Sequence, residues 1–158
     1  MKVEFLNPFI VAASKVLEAE AKAEVQKGQP RWHEGYFTLR DITVSISVVG
    51  AVEGTVLYGM DESTAKAIVG AIVGTPIPIF DRLAESGIAE LGNVITGMAS
   101  AGLEAAGYPC NISPPSVISG RGTILSMVNI QSVVLPLETR FGNIDVHLAL
   151  REKPKPKK

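Results

Sequence analysis

Apolar residues recur every third or fourth position in three stretches of the chain, which is the spacing of one face of an α-helix. The first predicted helix covers residues 8–27, with Asn7 as its N-cap and Gly28 after its last residue. The second covers about 13 residues that follow Asp61, an N-cap residue type. The third runs from about residue 79 to residue 106 with no proline inside it. We therefore expect three helices, of which the last is the longest.

The segments between and after these helices are rich in Val, Ile and Thr and alternate apolar with polar residues, as β-strands do. Residues 36–60 predict a short strand followed by two antiparallel strands joined near residues 50–54. Residues 111–151 predict further strands, with a hairpin reversal at Phe141 and Gly142. Strands that arrive in consecutive groups favour antiparallel pairing. The pattern predicts an α+β fold, mainly an antiparallel β-sheet with helices packed on one face.

Length and composition fit a single folded domain. The chain has 158 residues, of which 46% are hydrophobic, and most domains hold about 100 to 150 residues. We place this domain at residues 1–152. The last six residues, 153–158, alternate lysine with proline and offer no apolar side chain to bury, so we expect a disordered basic tail.

Charge and cysteine content exclude several classes of partner. A formal net charge of −1 gives no broad positive surface for nucleic acid. Cys110 is the single cysteine, which rules out an intramolecular disulfide. No apolar run approaches the roughly 20 residues that cross a bilayer. We expect a cytoplasmic protein with neither a nucleic-acid nor a membrane partner.

The third predicted helix has two contrasting faces. The apolar positions on one side form the expected core face: Ala84, Ile88, Leu91, Ile95 and Met98. The positions on the other side are polar or small: Ser86, Glu90, Asn93, Gly97, Ala101 and Glu104. This helix also contains four glycines, at positions 87, 92, 97 and 102, although each costs about 0.5 to 1 kcal/mol relative to alanine. Something is expected to pack closely on it, either a partner or simply the sheet or another helix.

Glu90 and Asn93 lie within the segment SGIAELGNVITG, residues 86–97. This E-x-x-N arrangement resembles the signature of the CheC, CheX and FliY family of chemotaxis phosphatases. In that family the signature lies on a long helix that follows a strand pair and a shorter helix. The elements predicted here have the same order, so the resemblance extends over nearly the whole chain. CheC-type members carry two copies of the signature, whereas this chain has one, so the resemblance is to CheX.

The resemblance implies a CheC/CheX-like fold and a phosphatase that hydrolyses the aspartyl phosphate of a CheY-type response regulator. Asn93 would hold the attacking water, and Glu90 would pair with a lysine of the regulator and fix its position. Ser86 and Gly97 are weaker candidates for contacts that flank the docked regulator. The regulator would bring its own Mg²⁺, and this chain would bind no cofactor or metal. The resemblance also implies a homodimer joined through strand edges.

Two other functions remain open. In one, the protein docks receiver or flagellar switch proteins without turnover, although the presence of both Glu90 and Asn93 favours catalysis. In the other, it is a structural dimer whose small-residue helix is the interface. His33 and His147 are too far apart in the sequence to indicate a metal site by themselves.

Overall fold

The computed structural model describes residues 1–156, of which 127–130 are described by their backbone alone. The described residues contain three α-helices: α1 (Leu6–Ala21), α2 (Glu62–Val73) and α3 (Arg82–Ala105). The first four strands are β1 (Gln26–Lys27), β2 (Arg31–Thr38), β3 (Ile42–Gly50) and β4 (Val52–Met60). The last four are β5 (Cys110–Ile112), β6 (Ser116–Ser119), β7 (Ile124–Thr139) and β8 (Gly142–Glu152).

The strands form one antiparallel sheet. Its order is β1-β7-β8-β4-β3-β5, while β2 also pairs with β7 and β6 with β3. Every strand pair is antiparallel. The hairpins β3–β4 and β7–β8 turn close to Ala51 and Phe141. The predicted α+β architecture with an antiparallel sheet is confirmed.

The main core lies between one face of the sheet and the three helices. Val44, Ile46 and Val48 alternate along β3 and are all buried in that core. A smaller apolar cluster of Phe37, Leu39 and Leu57 is separate from it. Neighbours along a strand point to opposite faces, so Leu57 lies on the face away from Val56 and from the helices. The helices therefore pack on one face, as predicted, and the other face is called the outer face below.

The prediction for the first helix is wrong at both ends. Helix α1 starts at Leu6, so Asn7 lies inside it, and Phe5 occupies the N-cap position. It ends at Ala21 because Lys22 adopts a left-handed conformation, with a φ of 52°. Arg140 donates a hydrogen bond to the carbonyl of Ala21, and the following segment adds β1 to the edge of β7. Local sequence favoured helix here, but contacts with a distant hairpin end it.

The other two helices match their predicted boundaries closely. Asp61 occupies the N-cap position of α2, and Gly74 ends the helix in the left-handed conformation, with a φ of 82°. Helix α3 begins three residues later than predicted, because the Asp81 carboxylate accepts a hydrogen bond from the backbone N–H of Ala84 at 3.0 Å. Within residues 1–156, no helix has the length and apolarity of a bilayer-spanning segment.

Candidate functional site

Helix α3 buries one face against the sheet and leaves the other open. Its buried positions are Ala84, Ile88, Leu91, Gly92, Ile95, Thr96, Ala99 and Leu103. The prediction that Met98 is a core residue is wrong, since its side chain is 43% exposed and Ala99 is buried instead. A step of three residues from Ile95 turns the helix by about 300°, which carries Met98 out of the buried stripe, whereas a step of four keeps Ala99 within it.

The four predicted site residues all lie on the open face of α3. Ser86 and Glu90 are exposed, while Asn93 and Gly97 are half-buried. Glu90 and Asn93 are three residues apart, so their Cβ atoms lie about 5 to 6 Å from each other on the same side of the helix. Asn93 is also close to the midpoint of the 24-residue helix. One rigid element therefore holds all four positions.

The polar atoms of Glu90 and Asn93 are available to a partner. Among the residues that the structure describes, neither side chain forms a hydrogen bond or ion pair with another protein group. Helix α3 contains no lysine or arginine after Arg82, so no cation on the helix itself neutralises Glu90. An exposed carboxylate beside a half-buried amide can accept a cationic side chain and hold a water molecule.

The buried side of α3 fixes the position of the candidate site relative to the sheet. A Cβ atom at Gly92 would lie 2.9 Å from Cγ1 of Val44, so only glycine permits this close approach of helix to strand. The Thr96 hydroxyl donates to the carbonyl oxygen of Gly92 at 2.7 Å, and it also meets the hydroxyl of Tyr58 at 2.7 Å. Burial raises the pKa of Tyr58, which keeps that phenol protonated. Sequence reasoning missed this buried link, although Thr96 follows the core position Ile95.

The segment after α3 lies beside the half-buried edge of the site. The Ser100 hydroxyl donates to the carbonyl oxygen of Cys110 at 3.0 Å and contacts its sulfur at 3.4 Å. A Cβ atom at Gly97 would lie 3.9 Å from Cδ1 of Ile112, which is ordinary van der Waals contact. Strand β5 thus packs against the C-terminal half of α3. Cys110 is half-buried in this contact.

Two of the four glycines of α3 are explained by close packing inside the molecule. Gly92 contacts β3, and a Cβ atom at Gly102 would lie 3.1 Å from Cβ of Pro8 in α1. A Cβ atom at Gly87 would lie 3.4 Å from a methyl group of Val69 in α2. The alternative that these glycines let the helix approach the sheet and other helices therefore holds for Gly92 and Gly102, whereas the distance at Gly87 is ordinary van der Waals contact. Gly97 is the one that faces the candidate site.

The two histidines lie away from α3. Both rings pack against Phe37, with centroid distances of 5.2 Å for His33 and 4.6 Å for His147. They line a cavity of about 300 Å³ on the outer face, together with Thr43 and Asp145. No group of three or more His, Cys, Asp or Glu side chains that could hold a metal ion is present in the described part of the chain.

Comparison with known proteins gives a consistent result. The family model of the chemotaxis phosphatase CheX matches residues 42–138, more than half of the chain. The CheY-P phosphatase CheX of Thermotoga maritima is 27% identical over 153 residues, which cover 96% of this chain and 98% of that protein. The 42–138 match includes β3, β4, α2, all of α3 and the segment that packs against it.

Solved structures agree with this match. A CheC-like superfamily protein from Shewanella sp. PV-4 has the same fold, with a TM-score of 0.87 at 24% identity over 96% of this chain and 99% of that chain. The chain is also similar to the Borrelia burgdorferi CheX–CheY–BeF3–Mg²⁺ complex, with a TM-score of 0.79 at 27% identity, covering 96% of this chain and 100% of that chain. This chain belongs to the CheX family of chemotaxis phosphatases.

Proposed function

We propose that this protein is a phosphatase that hydrolyses the aspartyl phosphate of a CheY-type response regulator. The observation that carries the proposal is the pair Glu90 and Asn93, which lies on the open face of α3 without a partner among the described residues. The family of the chain supports the reaction, since a relative with similar sequence is a CheY-P phosphatase. A CheX–CheY complex among the similar structures supports the choice of partner.

Asn93 is proposed to orient the attacking water. Its amide has both a donor and an acceptor on a short side chain, so it can hold a water molecule in line with the bond that breaks. The water attacks phosphorus, the bond between phosphorus and the aspartyl oxygen breaks, and the products are aspartate and inorganic phosphate. Phosphoryl transfer depends mainly on alignment and charge stabilisation, so a positioned amide is sufficient for this role.

Glu90 is proposed to position the regulator rather than act as a base. One helical turn from Asn93, its carboxylate can accept an ammonium group from a lysine near the phosphorylation site. Ser86 and Gly97 are proposed to flank the docked surface. Ser86 offers a hydroxyl, and Gly97 lacks a side chain that would obstruct close approach.

The regulator is proposed to supply the Mg²⁺ that accompanies its phosphoryl group, while this chain supplies no metal ligand. We also propose a homodimer joined through strand edges, because β5 and β6 leave unpaired strand edges that need covering. A cytoplasmic location is proposed because the chain carries a single cysteine and its proposed substrate belongs to two-component signalling.

The alternative is a binding module that docks receiver or flagellar switch proteins without turnover. It requires the same exposed helix face but not the amide of Asn93. A structural dimer through α3 is a further alternative, in which loss of the Asn93 side chain would change the oligomeric state. Both can be separated from the phosphatase by the same set of variants.

The experiment is the decay of phosphate on a purified, Mg²⁺-loaded CheY-type regulator. Wild type is expected to accelerate decay, and Asn93→Ala is expected to lower kcat by about 10²-fold or more, the usual loss for a group that aligns a reaction. Glu90→Ala is expected mainly to raise KM. Glu104→Ala is the matched control, since it removes an exposed carboxylate of the same helix about 21 Å from Glu90.

The outcomes separate the three functions. If wild type binds the phosphorylated regulator but does not accelerate decay, the binding module replaces the phosphatase. If Asn93→Ala changes the mass of the particle in solution, the structural dimer through α3 is favoured. Equal activity of Asn93→Ala and wild type would contradict the role of Asn93 outright.

A further inference from the structure

Large apolar side chains are exposed in a group beside the candidate site. Leu83 is 75% exposed, Ile79 is 71% exposed and Val73 is 54% exposed. They border a groove of about 650 Å³ between the C-terminal end of α2, the linker and the first turns of α3. We call it the α2–α3 groove. Exposed apolar groups that cluster in this way usually mark an interaction surface.

The α2–α3 groove is continuous with the candidate site. Ser86 and Gly87 line the groove, and Ser86 also lies on the open face that carries Glu90. Leu83 and Glu90 are seven residues apart, so they project from nearly the same side of α3, about 10 Å from each other along its axis. Val94, four residues after Glu90, continues this exposed apolar border. The polar pair thus lies beside an apolar surface.

The size of a protein interface places the groove under a docked regulator. A standard interface buries about 800 Å² on each partner, which corresponds to a disc of roughly 16 Å radius. Centred between Glu90 and Asn93, this disc includes Leu83 and the mouth of the groove. A regulator whose interface is centred on Glu90 and Asn93 would therefore cover at least part of the groove.

Polar contacts at the site give little affinity by themselves. Exposed ion pairs such as the one proposed for Glu90 are weak and screened by salt, whereas burial of a large apolar side chain contributes more strongly to binding. Asp81 lines the groove, and the exposed Arg82 and Glu85 lie on the same helix turn, so the charges beside the apolar surface are of both signs. This combination suits a partner surface that is mainly apolar.

We propose that the α2–α3 groove is the second anchor for the phosphorylated regulator, and that it receives an apolar side chain exposed next to the regulator's phosphorylation site. This inference rests on the proposed function, because it takes the regulator as the partner at Glu90 and Asn93. In this proposal the groove contributes binding affinity, while Glu90 positions the regulator and Asn93 orients the attacking water. Leu83 and Ile79 act by contact with the partner surface.

The test compares Leu83→Ser and Ile79→Ser with wild type in the phosphate decay experiment. Each variant is expected to raise KM about tenfold, while kcat at saturating regulator stays within about twofold, because only uniform binding is lost. Ile124→Ser is the matched control, since Ile124 is exposed at the start of β7 and lies outside the groove. Both groove side chains are mostly exposed, so their loss leaves the core intact. An unchanged KM in both variants overturns the proposal.

A binding measurement keeps this inference separate from the phosphatase reaction. The Kd of the phosphorylated regulator is measured in the Asn93→Ala background, with and without Leu83→Ser. A tenfold rise in Kd supports the groove even if wild type shows no turnover. No binding in either protein overturns the groove together with the proposed function. If Leu83→Ser instead converts a dimer to a monomer and leaves Kd unchanged, the groove belongs to a second copy of the chain, and the proposal is wrong.

Discussion

His147 is a buried titratable residue that the proposed reaction does not use. Burial lowers its pKa to about 4, and the charges of His33, Arg31 and Arg40 act in the same direction, while Asp145 opposes them. Its Nδ1 atom has no hydrogen-bond partner among the described residues, as is also true of the Thr43 hydroxyl in the same cavity. The folded protein therefore holds this ring neutral at pH 7.

This burial predicts an acid-dependent loss of stability. The unfolded chain takes up a proton on His147 near pH 6.5, whereas the folded chain does so only near pH 4. The free energy of unfolding should thus fall as pH decreases from about 6.5 towards 4, by about 2 kcal/mol between pH 7 and pH 5. His147→Phe should remove most of this loss. Urea unfolding of both proteins at the two pH values is the measurement, and parallel behaviour of variant and wild type would contradict a neutral buried ring.

Individual residues were predictable from the sequence where a spacing rule applied. Glu90 and Asn93 were placed correctly on an open helix face because a helix turns by about 100° per residue. The hydrogen bond between Tyr58 and Thr96 was not predictable, since the two residues are 38 positions apart and meet only when α3 packs on β4. The prediction that Met98 is a core residue was wrong because the spacing of apolar residues in the sequence does not show where the buried face of the helix ends.

At the scale of elements, the contact between α3 and β3 sets how the site is presented. Gly92 leaves no side chain between the helix backbone and Val44, whose side chain is fully buried. The helix can therefore lie closer to the sheet than it could if a side chain at position 92 stood between them. Asn93 follows directly, so a shift of the backbone at Gly92 also displaces its amide.

Gly92→Ala is expected to destabilise the protein, although alanine is the better helix former. The added methyl group would meet Val44, and overpacking of this kind costs typically 1 to 3 kcal/mol, against a gain in helix propensity of about 0.5 to 1 kcal/mol. Gly97→Ala is the matched control, because its new methyl group would lie 3.9 Å from Ile112 and should leave stability unchanged or raised. The measurement is thermal unfolding of both variants and of the wild type. A higher stability of Gly92→Ala would show that the helix does not need this close approach.

Helix and strand types followed from periodicity, but some boundaries did not. The C-terminal end of α1 was placed six residues too late, because Glu, Lys and Ala after Ala21 favour helix locally. What ends the helix is Arg140 and the pairing of residues 26–27 with β7. Such contacts join segments more than 100 residues apart and leave no local signal.

For the whole molecule, the sheet leaves edges on both sides. Within the part of the chain that the structure describes, β5 and β6 are the outer strands at one side, and β1 and β2 pair only with β7 at the other. Trp32 and Tyr36 are both exposed along β2, with Trp32 at 59%. Unpaired strand edges that carry exposed aromatic side chains are suited to pairing with a second chain.

The proposed homodimer predicts a particle of about 33 kDa, twice the 16.7 kDa of the chain. Light scattering at micromolar concentration is the measurement. Trp32→Ser should lower this mass if β2 is the interface and leave it unchanged if β5 and β6 are. A strictly monomeric wild type would exclude the dimer, whichever edge is considered.

The position of Asn93 near the midpoint of α3 has a geometric consequence for partner choice. When a 24-residue helix tilts about its centre, displacement grows with distance from that centre. A tilt of about 5° moves Leu83 by about 1 Å but leaves Asn93 almost in place. In the proposed reaction, regulators with somewhat different surfaces would shift the helix ends while the amide of Asn93 stays in place. The position of Asn93 along the helix would then allow the partner surface to vary without loss of water alignment.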